Sequence, residues 1–340
     1  MVQISEQRLH NLFNNFQGKT IAVIGDLMLD SYIWGKVNRI SPEAPVPVVD
    51  VEHEHVRLGG AANVAHNIKS LGGKPILVGV LGDDSSGKKL LNIIRENDFP
   101  AEGIIVDKSR PTTVKTRIIA HNQHVARIDR ESRSEISTAI QDQVFDTLRR
   151  NIDSIDGIVI EDYNKGVVVQ SLIKHTVALA NEHRKPITVD PKFNNFFEFT
   201  NVTLFKPNRN EVEEVLGLRM NDEQQVVEAG RQILKRLQAS GVLLTRGEQG
   251  MSLFEKDGSI THETTKARSV ADVSGAGDTV IATLTMALVA GATLKEAATL
   301  ANIAGGIVCG YVGIVPINKA ELVSIMLEEM NHRTHTGETI

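Results

Sequence analysis

The chain has 340 residues, 41% of them hydrophobic and 23% charged, ordinary globular values that allow a substantial buried core. Its formal net charge of -5 leaves no excess of Lys and Arg to act as a footprint for nucleic acid. The single cysteine, Cys309, excludes an intrachain disulfide and suits a reducing compartment.

No basic stretch followed by an apolar one opens the chain, so no signal peptide is expected and the cytoplasm is the expected location. Leu9, Leu12, Phe13 and Phe16 fall at helical spacing and predict an amphipathic helix over 5–16. Thr20 to Ile24 is a short apolar run closed by Gly25 and Asp26, the pattern of a buried strand ending in a turn. Buried strands recur at 76–80, 157–160, 187–189 and 242–244. Helical stretches at 61–71, 86–97, 137–152, 168–183 and 222–239 lie between several of them. This alternation predicts an α/β fold, with a mainly parallel central sheet flanked by helices on both faces.

Two segments break the rhythm. Residues 31–57 hold three prolines and alternating valines (Val46, Val48, Val49, Val51). Residues 112–130 alternate as well, with Thr113, Lys115 and Arg117 on one face and Val114, Thr116 and Ile118 on the other. Both read as half-exposed strands. They are expected to form a small accessory sheet able to act as a lid; two surface hairpins without a binding role are the alternative. The run 300–316 is apolar but interrupted by Asn302 and glycines, which predicts buried core and no membrane span. Within it, Cys309 is expected to be an inert core residue. The polar tail 331–340 is expected to be disordered.

Asp272-Val273-Ser274-Gly275-Ala276-Gly277-Asp278-Thr279 precedes an apolar small-residue helix. Glycines at a helix start let backbone N–H groups face a ligand, and the helix end carries partial positive charge, so the pair makes a phosphate site. Asp278 falls in the first turn. A carboxylate beside an anion cradle makes sense if an acceptor hydroxyl lies between them. Asp278 would then take the hydroxyl proton, while the Gly275–Gly277 amides stabilise the transferring phosphoryl group. A glycine turn with an Asp cap is the structural alternative.

Other glycine-rich stretches carry less. Gly82 to Lys89 nearly matches a P-loop, but Lys89 stands where Ser or Thr should hold magnesium, so it is expected to be a plain turn into a helix. Gly59-Gly60-Ala61-Ala62-Asn63 opens a helix of small residues, which suits either close approach to a ligand or tight packing. Asn208 and Glu211 share a helix face and could hold magnesium through waters. The histidines lack metal-ligand spacing, so no zinc is expected.

Together the two signatures, Gly59-Gly60-Ala61-Ala62-Asn63-Val64-Ala65 and Asp272-x-x-Gly275-Ala276-Gly277-Asp278, resemble those of the PfkB/ribokinase carbohydrate kinases. The resemblance spans about residues 18–325 and implies a three-layer ribokinase-like fold with a small β-sheet lid. It implies ATP and Mg2+ as cofactors, with a monovalent cation such as K+ in some relatives. Asp278 matches the base, and Gly275, Ala276 and Gly277 the anion hole. Asp30, Gly59, Gly60 and Asn63 match sugar-hydroxyl contacts. Asn208, Thr245, Gly247, Asn302 and Lys192 fall on the nucleotide side. Glu211 matches the magnesium residue, acting through water, and Asp272 the monovalent-cation position, where a structural hydrogen bond serves equally well. Relatives often pair as homodimers through lid edge strands.

Within that family, the segments 39–48, Asp162-Tyr163-x-Lys165-Gly166, Asp190-Pro191-Lys192 and 245–251 look like the heptose 7-phosphate kinases. These phosphorylate the anomeric oxygen of D-glycero-β-D-manno-heptose 7-phosphate on the way to ADP-heptose and lipopolysaccharide. Many are fused to a nucleotidyltransferase domain. No HxGH motif appears here, so the resemblance implies a kinase standing alone or parted from such a domain. The distal phosphate needs cations. Lys115, Arg117, Lys165 and Lys192 are the candidates, Arg117 and Lys165 foremost. Glu161 departs from the pattern by adding a carboxylate before Asp162. A kinase of another sugar, sugar phosphate or nucleoside, and a non-catalytic sugar- or nucleotide-binding regulator, are the remaining readings.

Overall fold

Ser5 caps the first helix by accepting the Arg8 N–H at 3.2 Å, and α1 (Glu6–Asn15) follows, burying Leu9, Leu12 and Phe13. The computed structural model describes residues 4–121, 123–265 and 270–336, with side chains to 330. After α1 come β1 (Thr20–Gly25), β2 (Leu27–Ile40) and β3 (Pro47–Gly60), then α2 (Ala61–Ser70), β4 (Lys74–Gly82) and α3 (Ser85–Glu96). β5 (Ile104–Asp107), β6 (Thr113–Ala120) and β7 (Gln123–Arg130) lead to α4 (Thr138–Asn151). Strands and helices then alternate through β8 (Gly157–Glu161), α5 (Gln170–Glu182), β9 (Ile187–Asp190), β10 (Leu204–Phe205) and α6 (Arg209–Leu216). The chain continues as α7 (Glu223–Leu237), β11 (Gly241–Thr245), β12 (Met251–Glu255) and β13 (Ile260–Glu263). It ends in α8 (Ala276–Val289), α9 (Leu294–Val308) and α10 (Lys319–Thr336).

Nine strands form the large sheet in the order β13-β12-β11-β10-β9-β8-β1-β4-β5. It is parallel from β5 to β11; β12 then pairs antiparallel with β11, and β13 antiparallel with β12. Side chains of β1 alternate between two cores, as the pleat requires. Ile21 and Val23 join the core shared with α1, α2, α8, α9 and α10, while Ala22 and Ile24 join that of α4, α5, α6 and α7. The result is the α/β three-layer fold expected from the apolar strand runs.

Residues of the two irregular segments make a separate sheet, ordered β3-β2-β6-β7. β2 pairs antiparallel with β3 and parallel with β6. Every residue of β7 lies exposed, so this sheet has a wet outer strand, while the start of β2 is buried against the main domain.

Three local expectations are settled here. The near P-loop is a structural turn: Asp84 caps α3, accepting N–H groups from Gly87 (2.7 Å) and Thr112 (3.0 Å). Cys309 is half-buried rather than a core residue, because it falls at the C-cap of α9, where the helix leaves the core; its carbonyl accepts the Ala271 and Asp272 amides at 2.8 and 3.2 Å. The tail expected to be disordered from 331 instead continues α10 to Thr336; 337–340 lie outside the described residues. No helix among the described residues is long and apolar enough to cross a membrane.

Candidate active site

Parallel sheets gather their ligands beyond the carboxyl ends of the strands. Here those ends deliver charged groups to one place: Asp26 after β1, Glu161 and Asp162 at β8, Asp190 at β9 and Lys206 after β10. All are buried. The start of α8 meets them. Gly275 caps that helix at φ +79°, a left-handed conformation that favours glycine, and Asp278 stands in its first turn.

Asp278 is 2% exposed. Its two oxygens are each held: Asn63 Nδ2 donates to one at 2.7 Å and the Tyr163 hydroxyl to the other at 2.8 Å. Burial pushes its pKa up to about 7, partly offset by those two donors. The Ala276 N–H turns back to the Val273 carbonyl at 3.3 Å. Of the three cradle amides, those of Gly275 and Gly277 have no protein acceptor among the described residues, as the first turn of a helix leaves them. A methyl group on Gly277 would lie 3.5 Å from an Asp190 oxygen and 3.7 Å from Lys206 Nζ, which places that amide beside an acid–base pair.

Oxygens of Glu161, Asp190 and Asp278 lie within 4.8 Å of one another. Three carboxyl groups so close and so dry cannot all be charged without a counter-ion. Lys206 Nζ supplies one, 2.8 Å from Asp190. Burial, then Asp190 and Asp278, hold the pKa of Glu161 far above the ordinary carboxylate range, and its Oε2 has no hydrogen-bond partner. An orphaned buried oxygen among acids fits a site able to take a cation. Glu211 fits an outer role: Lys192 donates to one of its oxygens, and the Asn208 N–H to the other at 2.8 Å, so water would have to bridge it to a metal.

At the sugar end, Asp30 is 2% exposed and bonded to the Arg117 guanidinium. Gly59 has to be glycine: an added Cβ would sit 2.0 Å from Asp30 Oδ2. Gly60, at φ +57°, leads into α2, which carries Asn63 to Asp278. Asp26 organises the whole junction. Its carboxylate accepts N–H groups from Tyr163 (2.8 Å), Lys165 (3.1 Å) and Val167 (3.2 Å), while its carbonyl accepts from Ala61 (3.1 Å). A cavity of about 270 Å³ opens beside Asn63, with Arg57, His66, Asn97 and Ile314 in its wall.

The nucleotide-side residues assemble around the ends of β10 and β11. Asn208 caps α6 in a reciprocal pair with Glu211 and bridges to Thr245. Gly247, at φ +61°, has open space where a side chain would project. Asn302 lies further off in sequence, tying α9 to the Thr264 carbonyl at 3.1 Å. Asp272 accepts the Ser274 and Gly313 N–H groups at 2.9 and 3.0 Å, so it clamps two loops together.

The four cations singled out for a distal phosphate are all neutralised within the chain. Lys115 lies 3.5 Å from Asp129, Lys165 2.8 Å from Glu131, Arg117 pairs with Asp30 and Lys192 with Glu211. Asp26, Glu161, Tyr163, Asp190 and Lys206 were missed as site residues. The signal available for most of them was an acid or base directly after an apolar strand run.

Comparison with known proteins agrees with this geometry. The profile of the pfkB family carbohydrate kinases matches residues 19–320. The bifunctional protein HldE of Geobacter metallireducens is 42% identical over 323 residues, 95% of this chain and 66% of that protein. HldE of Helicobacter pylori strain P12 is 42% identical over 308 residues, 91% of this chain and 67% of that protein. The chain thus spans about two thirds of the length of these curated relatives. In fold, phosphofructokinase-2 from Escherichia coli with fructose-6-phosphate superposes with a TM-score of 0.74 at 17% identity, covering 93% of this chain and 99% of that one. Ribokinase of Arabidopsis thaliana with ribose and ATP gives 0.71 at 17% identity, covering 90% and 99%. The chain belongs to the pfkB family of carbohydrate kinases, enzymes that transfer a phosphoryl group to a sugar hydroxyl.

Proposed function

We propose that this kinase phosphorylates D-glycero-β-D-manno-heptose 7-phosphate at the anomeric O1 to give heptose 1,7-bisphosphate, in the synthesis of ADP-heptose for lipopolysaccharide. The observation that carries this reading is the 42% identity along 95% of the chain to a bifunctional protein HldE, whose kinase half is the heptose 7-phosphate kinase that the motifs resemble.

In this reading the acceptor hydroxyl lies between Asp278 and the start of α8. Asp278 takes the hydroxyl proton as the oxygen bonds to the γ-phosphorus and the bond to ADP breaks. A base whose pKa is about 7 is matched to that task near neutral pH. The Gly275 and Gly277 amides and the Lys206 ammonium lie where they can stabilise charge on the moving group. Asp30, Gly59 and Asn63 orient the sugar. Asn208, Thr245, Gly247 and Asn302 receive ATP. Glu211 through water, and the Glu161–Asp190 pair, are the residues to hold magnesium, which when bound neutralises charge on the phosphates. The small sheet acts as the lid that excludes water from this reaction.

ATP consumption across an acceptor panel tests the reading. Heptose 7-phosphate is expected to exceed ribose, fructose 6-phosphate and unphosphorylated heptose by about 100-fold or more in kcat/KM. Turnover on ribose or fructose 6-phosphate with none on heptose 7-phosphate would overturn it.

A further inference from the structure

Directly opposed residues of neighbouring strands share a face of the sheet, as do residues two apart along a strand. By register, Asp30 faces Arg57 on β3 and Lys115 on β6, and Tyr32 faces Arg117. The face that carries Asp30 into the site therefore also carries Tyr32, Arg57, Lys115 and Arg117. Two of these cations are already spent. Arg117 pairs with Asp30, and Lys115 with Asp129 and Glu131.

Arg57 differs. No carboxylate lies within ion-pair distance of it among the described residues; its guanidinium donates to the Ile314 carbonyl. It borders the cavity beside Asn63, and Asn63 in turn holds Asp278. Tyr32 lies between the two arginines, with Arg57 5.9 Å and Arg117 5.3 Å from its ring centre. Tyr32 is 3% exposed, and among the described residues no side chain hydrogen-bonds its hydroxyl; the Ile314 backbone N–H is its polar neighbour on the protein side. A buried hydroxyl that no side chain satisfies, beside a guanidinium that no carboxylate compensates, is a donor pair that an anion could complete. Its position also suits a long acceptor. Tyr32 is one same-face step, about 7 Å, outward from Asp30. A sugar with its reacting hydroxyl at Asp278 would carry its other end that way.

We propose that Arg57 and the Tyr32 hydroxyl seat the distal phosphate of the sugar-phosphate acceptor, and that Arg57, not Arg117 or Lys165, is the cation that selects it. This rests on the reading of the acceptor as a sugar phosphate. Arg117 has a different role here: it keeps Asp30 oriented for the sugar hydroxyls.

Steady-state kinetics of Arg57→Gln, Arg57→Lys and Tyr32→Phe, with phosphorylated and unphosphorylated heptose, test it. Losing a charge-assisted bond to phosphate is expected to raise KM for heptose 7-phosphate roughly 10- to 100-fold in Arg57→Gln, less in the other two. KM for ATP and for unphosphorylated heptose should not move. An unchanged KM for the phosphorylated sugar, or an equal rise for both sugars, would overturn the assignment. Wild-type failure on heptose 7-phosphate with turnover of another sugar phosphate would reject the acceptor named above, and the same KM comparison on that sugar phosphate would then decide Arg57. Wild-type activity on neutral sugars alone would overturn both. If Arg57→Gln fails to fold, Tyr32→Phe, which removes one oxygen, decides by the same KM comparison.

Discussion

The carboxyl edge of the large sheet and the inner face of the small sheet are both crowded with charge, but they handle it in opposite ways. At the large sheet, Asp26, Glu161, Asp190, Lys206 and Asp278 are buried, and burial followed by the neighbouring carboxyls makes Glu161 hard to ionise. On the small sheet, the Asp129 side chain is about a quarter exposed and that of its partner Arg127 more than half, and Arg127 holds the Asp129 pKa down to about 2. Exposed ion pairs are individually weak and can exchange a partner for a ligand at little cost. Buried ones cannot, since removing one member strands the other. Desolvated charge therefore suits the step that moves a proton; the small sheet adds to its buried Asp30–Arg117 pair the more hydrated charges of β7, which can yield to an acceptor that arrives and leaves.

The sharpest way to break this division is Asp278→Asn. Replacing the base is expected to lower kcat by about 10²- to 10⁴-fold while ATP binding, measured by calorimetry, persists. Normal turnover would remove Asp278 from the chemistry. Stability should move the other way. The carboxyl is harder to ionise folded than unfolded, so between the ordinary Asp range and about pH 7 the folded chain binds more protons and loses stability as pH rises. The amide carries no such burden, and its melting temperature at pH 8 is expected to exceed that of the wild type.

A lid has to respond to ligand, whereas the core of the large sheet should not. Hydrogen exchange with and without acceptor separates the two. Amides in 31–57 and 112–130 are expected to gain tenfold or more in protection on acceptor binding, those of β1 and β8 little. Equal change in both sheets, or none in the small one, would end the distinction.

Much of the architecture was legible because apolar strand runs such as Thr20–Ile24 and Gly157–Ile160 have one state open to them: buried in a sheet covered on both faces. The glycine signature around Gly275 was legible because a left-handed cap leaves a compositional mark. What could not be read was which side chains are already satisfied. Lys115, Lys165 and Arg117 look like free cations in the sequence, and each turns out to be matched to an acid far along the chain or across a strand. Arg57 looks ordinary, yet among the described residues no acid lies within ion-pair distance of it, and it donates to the Ile314 carbonyl instead. Asp190 and Lys206, 16 residues apart, meet only because β9 and β10 are neighbours in the sheet. Pairing of this kind is decided by topology, and no local pattern encodes it.

The finest test of the buried side is Tyr163→Phe. The Tyr163 hydroxyl donates to Asp278 and so favours the charged carboxylate. In the wild type, kcat/KM is expected to rise with pH through about 7 as Asp278 ionises in the free enzyme, then level off. Without the phenol oxygen the carboxylate loses a donor while its burial persists. Ionisation then becomes harder, and the rising limb should move to higher pH by roughly 0.5–1 unit. A purely structural defect would lower the plateau and leave the limb in place. A limb that stayed put or moved to lower pH would mean that the base titrates independently of its buried neighbours, and the contrast between a dry catalytic edge and a wet recognition face would lose its electrostatic basis.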